Sequence, residues 1–347
     1  MNLKYRPLVS IIITSYNYGK YINEAIESAL SQDYPNIEII VSDNCSTDQS
    51  VEVIRRYTKD SRIKFNQNKN NIGVIANFIK AISLANGDYV TFISADDYWV
   101  NNSFVSQAIK RFESVPSLMI VKGKNLFKYE KTGKYIEDAT YIFWKKYYYN
   151  KSYINGDKVF LEYPSSPSVG FGGSIYNKSA LMATGLDKYD DKCFYMDAEI
   201  SLKILLMGDI SFINEDTYVN RLHGANSTGN RTARQAIENI TYIESTYQYA
   251  IEDKKIPMYI LEKWRHTMLS QYFRGILKHF YIHSKPKYIE VKEYLNVNHY
   301  KVYEDISNSL NWKIFLIASK SKFIIKIYPF LGRIKCHLHT IFRNITS

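Results

Sequence analysis

An α/β fold built on a mostly parallel sheet is what the sequence predicts, from three observations. Short β-branched runs alternate with helix-periodic segments through the first third of the chain, the pattern of strands joined by crossover helices. The runs are apolar at successive positions, as strands covered on both faces are. Each is followed by a polar loop, at the strand end where open sheets take their ligands. With 347 residues, 46% hydrophobic and 23% charged, the chain has room for a sizeable core and an appendage.

Val9–Ile13 reads as the first strand, β-branched apart from Ser10, and Thr14–Lys20 as its polar loop. Ile22, Ala25, Ile26, Ala29 and Leu30 then recur at helical spacing and make one apolar face. Pro35-Asn36 turns the chain into the strand Ile37–Val41, and the loop Ser42–Asp48 follows, where Ser46 or Thr47 can cap a helix running through Tyr57. A short strand at Ile63–Phe65 precedes an Asn-rich loop ending at Gly73. Ile75, Phe78, Ile79 and Ile82 mark a third helix, stopped by Asn86-Gly87. Tyr89–Ile93 is the strand that delivers the adjacent carboxylates Asp96 and Asp97. Beyond it, a helix is expected over Asn101–Ser114, paired strands at Leu118–Val121 and Leu126–Tyr129 around Gly123, and helices at Asn177–Thr184 and from Tyr195 to Leu205. From Thr232 onward the pattern is helical.

Bulk properties narrow the function. The net charge of +11 implies an acidic partner such as nucleotide phosphates, anionic lipid or nucleic acid. The 31 tyrosines are read as compositional bias rather than function. Cys45, Cys193 and Cys336 are widely spaced and form no CxxC or Cys/His cluster, so neither a zinc site nor a disulfide framework is supported, and a reducing cytosol fits. The run Leu8–Ile13 is too short for a signal-peptide core, and no stretch reaches the ~20 apolar residues of a membrane span. None of the three loops has the spacing of a GxGxxG or P-loop nucleotide site.

Two neighbouring aspartates repel each other, so Asp96 and Asp97 need a cation, hydrogen-bond donors or open water. Hard oxygen ligands at a strand end suit Mg²⁺ or Mn²⁺ carrying phosphates, while the bland alternative is a helix cap before Asn101. Asp197 falls at the start of a helix, where the macrodipole favours a carboxylate for structural reasons alone. Arg221 offers a planar donor fork for phosphate and His223 a neutral ligand or donor. Tyr141–Tyr149, aromatic with Lys145 and Lys146, suits sugar stacking or a membrane interface as well as a core patch under a loop. After Asp305 the chain has no Asp or Glu, yet carries Lys313, Lys320, Lys322, Lys326, Arg333, Lys335 and Arg343. Interleaved with Trp312, Phe315, Leu316, Phe323 and Tyr328, these fit a helix at an anionic membrane surface, or a helix packed on the protein with solvated lysines.

The segments Ile13-Thr14-Ser15-Tyr16-Asn17, Asp43 with Ser46-Thr47-Asp48, and Ala95-Asp96-Asp97 resemble, in order and spacing, a family 2 glycosyltransferase of the GT-A fold. The resemblance runs roughly from Pro7 to Ser227. It implies that Thr14 and Tyr16 line the base pocket, that Asp43 accepts a hydrogen bond from the base, and that Asp96 contacts the ribose. Asp97 would bind a divalent metal, Mn²⁺ or Mg²⁺, bridging the diphosphate, and Tyr218–Ser227 would be the family's closing loop after its last core strand, with Arg221 and His223 reaching the diphosphate or the metal. Tyr195–Leu205 resembles the family's Glu-Asp motif and makes Asp197 the general base, with Glu199 as second candidate. Ser94 stands where many relatives carry Asp, and Met196 where Glu is usual.

The fold implied is α/β of GT-A type, a Rossmann-like mostly parallel sheet flanked by helices with a helical C-terminal extension. Residues 1–230 would be the catalytic domain, with 1–115 holding the nucleotide and 116–230 the acceptor, and residues 231–347 a basic, helical, membrane-associated region. The implied activity is inverting transfer from a nucleotide-sugar donor, UDP-linked by preference, to a saccharide or polyprenyl-linked oligosaccharide. Its setting would be bacterial O-antigen, capsule or exopolysaccharide synthesis at the cytoplasmic face of the inner membrane. A sugar-phosphate nucleotidyltransferase is one alternative, but calls for a Gly-rich basic loop where this chain has Ser15-Tyr16-Asn17-Tyr18. A non-catalytic membrane or nucleic-acid binder is the other; it leaves the three matching loops unexplained, and no motif supports nucleic acid.

Overall fold

The computed structural model describes residues 6–138, 144, 151–165, 169–189, 195–223 and 232–319. Of these, the residues within Met1–Asn230 and Thr241–Leu261 form one compact unit, and those within Arg231–Ile240 and Glu262–Ser347 form a second.

The first unit is organised on one sheet of β1 (Val9–Ser15), β2 (Ile37–Asp43), β3 (Ile63–Gln67), β4 (Tyr89–Ser94), β5 (Tyr98–Trp99), β6 (Leu118–Tyr129), β7 (Lys134–Glu137), β8 (Ser174–Asn177) and β9 (Asp209–Leu222). The spatial order is β3-β2-β1-β4-β8-β6-β9-β5, with β7 paired to β6. β3, β2, β1 and β4 run parallel, β8 is antiparallel to both β4 and β6, and β9 runs parallel to β6. Crossovers between the parallel strands carry α1 (Ile22–Leu30), α2 (Ser50–Tyr57) and α3 (Val74–Ser83), and α4 (Phe104–Ser114) follows β5. Val9, Ile11 and Ile13 point into a core shared with Ile22, Ile26 and Ile54 of α1 and α2 and with Phe104 and Ile109 of α4. The sheet is mixed, parallel through β3-β2-β1-β4 and at β6-β9 and antiparallel at its other pairings; with its helical flanks, the further helices α5 (Gly156–Glu162), α6 (Lys178–Ala183) and α9 (Thr241–Asp253), and the helices of the C-terminal region it agrees with the expected α/β fold class.

Local readings differ in four places. Leu118–Tyr129 is one strand, bent by register shifts at Gly123, Lys124 and Asn125, where two strands around a turn were expected. The helix expected from Asn101 starts at Phe104, and β5 stands between it and the Asp pair, so Asp96 and Asp97 do not cap it. Ser46 and Thr47 do not cap α2, because both are drawn across to Asn17; Asp48 instead accepts from the Ser50 amide at 2.9 Å. Tyr218–Leu222 is strand rather than closing loop, and residues 224–227 lie outside the described residues.

At the amino end of the parallel strands, one buried carboxylate joins three strands and a turn. Glu38 on β2 accepts from Ser10 Oγ on β1 (2.6 Å), Lys64 Nζ on β3 (2.6 Å) and the Asn86 amide before β4.

In the second unit α8 (Ala233–Glu238) opens with a reciprocal Thr232–Gln235 cap. The later helices α10 (Met258–His283), α11 (Lys285–Asn298), α12 (Tyr300–Asn308) and α13 (Leu310–Ser319) bury Phe273, Phe280, Leu295, Ile306, Trp312 and Phe315. Trp312 and Phe315, expected on an interfacial face, are thus core residues of this unit, while Leu310 and Ile317 are exposed. Residues from Lys320 onward, which hold most of the basic tail, lie outside the described residues, as does the aromatic stretch Tyr141–Tyr149 apart from Trp144, buried against Phe212. Among the described residues no helix is long and apolar enough to cross a membrane.

Burial alone would raise the Glu38 carboxyl, but its donors outweigh that and hold it below the usual carboxylate range. A depressed folded-state pKa contributes stability above the unfolded value, lost as the pH falls through the folded value. Urea unfolding should therefore find Glu38→Gln less stable by about 1–3 kcal/mol at pH 7. The gap should narrow as the pH falls below about 4.

Candidate active site

The carboxyl ends of the parallel strands are level because Ser15 pairs with Asp43 and Thr14 with Ser94. Their loops converge, and the first two are stitched together. Asn17 donates its amide to Ser46 Oγ and accepts from the Thr47 amide, both at 2.8 Å, and the Gly19 amide donates to Asp48 at 2.9 Å. Asn17 and Cys45 both hold left-handed backbone, with φ of 59° and 65°. That conformation costs an L-residue about 1–2 kcal/mol and persists where the surroundings impose it. Thr14 is half-buried and Tyr16 is 42% exposed, leaving its ring accessible at the sheet edge. Asp43 is fully buried, and its two oxygens accept from the amide and hydroxyl of Ser46. The loop fixes its direction and still leaves lone pairs for a further donor.

Asp96 and Asp97 face different ways. Asp97 turns inward, where Oδ2 accepts from Tyr218 Oη and Oδ1 from the Arg221 amide, both at 2.8 Å. Burial and the neighbouring Asp96 charge push its carboxyl up to about 7, against the pull of those donors. Asp96 instead meets His223, with Oδ2 3.0 Å from Nε2. Tyr18 also hydrogen-bonds to Asp96, and burial together with the two carboxylates raises its phenol to about 12. The Tyr21 ring stacks on His223 at 5.2 Å.

Arg221 is buried between the rings of Tyr21 and Tyr98. Its guanidinium donates to the Asp96 carbonyl, Glu24 and Glu130, each at 2.8 Å. The fork expected on phosphate is engaged by the protein's own carboxylates.

A divalent metal can be tested against these donors. Asp96 Oδ2 and His223 Nε2 are separated by the cis edge of an octahedron with bonds of ~2.1 Å. A carboxylate and an imidazole so placed fit two adjacent positions on Mn²⁺ or Mg²⁺, the remainder suiting phosphate oxygens and water. Among the described residues no group of three or more His, Cys, Asp or Glu could enclose an ion.

On the other side, α7 (Met196–Leu205) is buried at every position except Asp197, so it has no solvent face and its Ile200–Ile204 spacing marks no stripe. Asp197 sits in the first turn. The residue as a whole is half-buried but its carboxyl is enclosed, and that burial raises it, while the helix-start amides and, least, Lys122 pull the other way. Glu199 is sealed: Lys203 Nζ lies 2.7 Å away and Ser245 donates to the same oxygen. Lys122 on β6 donates to the Gly172 carbonyl and to Asn125 Oδ1. Gly172 packs so closely on the Tyr218 ring that a Cβ would lie 2.7 Å from it, and Gly173 has a φ of +66°. Phe171 anchors this turn, stacking on Phe78 and packing at a tilt against Phe92. A continuous path of contacts, Lys122–Gly172–Tyr218–Asp97, thus joins the surroundings of Asp197 to the Asp pair.

Sequence reasoning missed Lys122, Glu24 and Glu130. Lys122 did announce itself, as a charge directly after the apolar run Leu118–Val121. Glu24 and Glu130 carried no signal, since their partner lies 197 and 91 positions away.

The family profile of glycosyl transferase family 2 matches residues 10–184, just over half of the chain, and the chain belongs to that family. It is 44% identical over 100 residues to the Escherichia coli protein named UDP-Glc:alpha-D-GlcNAc-diphosphoundecaprenol beta-1,3-glucosyltransferase WfaP, over 29% of this chain and 39% of that one. It is 38% identical over 104 residues to the putative teichuronic acid biosynthesis glycosyltransferase TuaG of Bacillus subtilis (strain 168), over 30% and 41%. These matches span about two fifths of the relatives' own lengths. The crystal structure of S. aureus TarS in complex with UDP-GlcNAc aligns with a TM-score of 0.63 over 85% of this chain and 82% of that one, at 19% identity. The mannosyltransferase PcManGT from Pyrobaculum calidifontis, in complex with GDP-Man and Mn2+, aligns at 0.50 over 90% and 86%, also at 19% identity. Identities this low establish the GT-A fold and nothing finer.

Arg221→Leu should cost about 2–4 kcal/mol of stability, because it removes a buried cation from one carbonyl and two partly exposed carboxylates. Denaturant unfolding measures the loss, and a cost below 0.5 kcal/mol would show the ion cluster to be idle.

Proposed function

We propose that the protein is an inverting glycosyltransferase moving a sugar from a nucleotide-sugar donor, UDP-linked by preference, to a hydroxyl of a polyprenyl-linked saccharide in bacterial surface-polysaccharide synthesis. The observation that carries the reading is the division between the two candidate bases. Asp197 stands at the one position of α7 that is not buried, whereas Glu199 is closed in an ion pair. The donor and acceptor printed in the name of WfaP support the substrate classes.

In this reading Tyr16, Thr14 and Asp43 take the nucleoside base and Asp96 with His223 hold a divalent cation. Asp97 and Arg221 act beneath them as struts, in place of the direct contacts first expected. The cation, when bound, neutralises charge developing on the leaving diphosphate. Asp197 accepts the proton of the acceptor hydroxyl while that oxygen bonds to the anomeric carbon from the face opposite the diphosphate. The bond between that carbon and the phosphate oxygen breaks, the nucleoside diphosphate leaves, and a single displacement inverts the centre. Residues 231–347 are proposed to hold the enzyme at an anionic cytoplasmic leaflet, on the strength of the basic, acid-free sequence after Asp305.

Calorimetric titration with UDP, GDP and dTDP, with and without Mn²⁺, tests the donor side. One nucleotide should bind in a manganese-dependent manner, and that dependence should disappear in His223→Ala; binding of none by folded protein would end the reading. Asp197→Asn should lower transfer by about 10²–10⁴-fold with nucleotide affinity kept. Glu199→Gln should act through stability and leave the pH–rate profile in place.

A further inference from the structure

The turn between β6 and β7 projects from the sheet close to the candidate metal site. Tyr129 pairs with Lys134 and Lys128 with Tyr135, and the Thr132 and Gly133 amides close the turn on the Tyr129 carbonyl at 3.2 and 2.8 Å. Gly133 supplies the left-handed residue this turn needs, with a φ of +65°, and a Cβ added there would meet nothing within 4 Å. From Lys128 to Tyr135 the chain carries three lysines and one acid. The acid is withdrawn from the tip: Glu130 Oε2 accepts from Arg221 at 2.8 Å, and the Glu130 amide donates to the Leu222 carbonyl at 3.0 Å. Lys131 and Lys134 stand exposed, and Lys128 lies over the rings of Tyr98 and Tyr135. Two phenols are open to solvent as well, Tyr129 at 41% and Tyr135 at 47%. Paired residues of a hairpin share a face and successive pairs take opposite faces. Lys128 with Tyr135 therefore lies on one face and Tyr129 with Lys134 on the other, so each face has a cation and a phenol.

We infer that this hairpin tip is a membrane contact of the catalytic unit, dipping end-on into the headgroup layer of an anionic leaflet. Lysine on an edge strand also blocks pairing with another chain, which accounts for Lys134. It accounts neither for the two exposed phenols nor for an acid turned away from the tip. Tyrosine, with an apolar ring and a polar hydroxyl, suits the boundary between headgroups and acyl chains, and the negative surface potential of the leaflet attracts lysines placed there. A turn that bears the same groups on both faces fits a fluid charged surface. For its purpose the inference rests on the lipid-linked acceptor proposed above. Glu130 ties the tip to Arg221, which bonds in turn to the Asp96 carbonyl, so a tip seated among headgroups brings the candidate metal site to the layer that holds a lipid diphosphate. The basic sequence after Asp305 can keep the protein near a leaflet, yet one attachment leaves it free to turn. A second attachment, next to the site, fixes which face meets the bilayer.

The test is local and uses neither donor nor acceptor. Hydrogen exchange of the full-length protein is followed by mass spectrometry with vesicles of equal parts phosphatidylglycerol and phosphatidylcholine, and with phosphatidylcholine alone. The peptide over residues 126–137 should exchange more slowly on the anionic vesicles only. Unchanged exchange there, in protein that sediments with those vesicles, would overturn the inference, because other parts of the chain would then account for the binding. A failure to bind them at all would overturn it too. Slowing by inorganic pyrophosphate without vesicles would make the tip a soluble-anion site and refute the assignment to a surface. Lys131→Gln combined with Lys134→Gln should weaken partitioning onto the anionic vesicles by about 30-fold, the share of two lysines at such a surface. Lys131→Arg with Lys134→Arg should keep it, and Tyr129→Ser should add to the loss. These side chains are exposed, so the unfolding midpoint should hold in each variant; partitioning equal to the native protein in the double Gln variant would sink the inference. Its purpose is read separately. In the double Gln variant, transfer to a lipid-linked acceptor in vesicles should fall while nucleotide affinity is kept. Should no nucleotide bind the native protein, the transferase reading falls and the vesicle contact is still decided by exchange.

Discussion

A carboxylate enclosed as Asp97 is must find donors or take up a proton, and the donors it finds come from a strand more than a hundred residues away. Tyr218 Oη and the Arg221 amide both project from β9. This one set of hydrogen bonds ties the β4–β5 turn to the far end of the sheet, while Asp96, next along the chain and equally buried, meets His223 instead. Arg221 completes the arrangement from its other end, drawing α1 and the end of β6 together through Glu24 and Glu130. The chemistry proposed for Asp96 depends on the solvation of its neighbour.

The strand-end loops and α7 are built on different principles. At the carboxyl ends of β1, β2 and β4, loops extend from level parallel strands, and hydrogen bonds between the loops, with two left-handed residues, set their form. Across from them, a helix buried at every other position carries Asp197 in its first turn. Loops of the first kind can adjust to a ligand at modest cost, whereas α7 cannot shift without disturbing the core on every side. The base role proposed for Asp197 calls for such rigidity, since a base has to meet its proton at hydrogen-bond distance.

Much of this was legible before any coordinates. Strands and helices in the first third follow from the β-branched runs and the 3.6-residue spacing, because each such element is fixed by its own neighbours in sequence and by burial on both faces. The residues at the strand ends were legible for the same reason: an apolar run that stops at a cluster of Asp, Ser and Asn leaves few positions for a ligand. What escaped was set by long-range geometry. Nothing near Asp97 says that Tyr218 will reach it, and nothing near Arg221 says that Glu24 and Glu130 will claim its guanidinium. The single strand Leu118–Tyr129 was read as two because Gly123 marks a turn in most sequences, whereas here it marks register shifts against β9. The roles of Asp96 and Asp97 turn on side-chain direction, which no spacing rule supplies.

The separation of Asp97 from its donors also has a bearing on biosynthesis. β4 and the acid pair leave the ribosome well ahead of β9, and the chain from Asp97 to Arg221 spans 124 positions. At 5–20 residues per second that is a delay on the order of ten seconds. During it the parallel strands can already pair, while the two aspartates stand without the hydroxyl and amide that later enclose them. The nascent site is therefore open and fully hydrated, and it acquires its low-dielectric interior only when the last strand of the sheet is laid in.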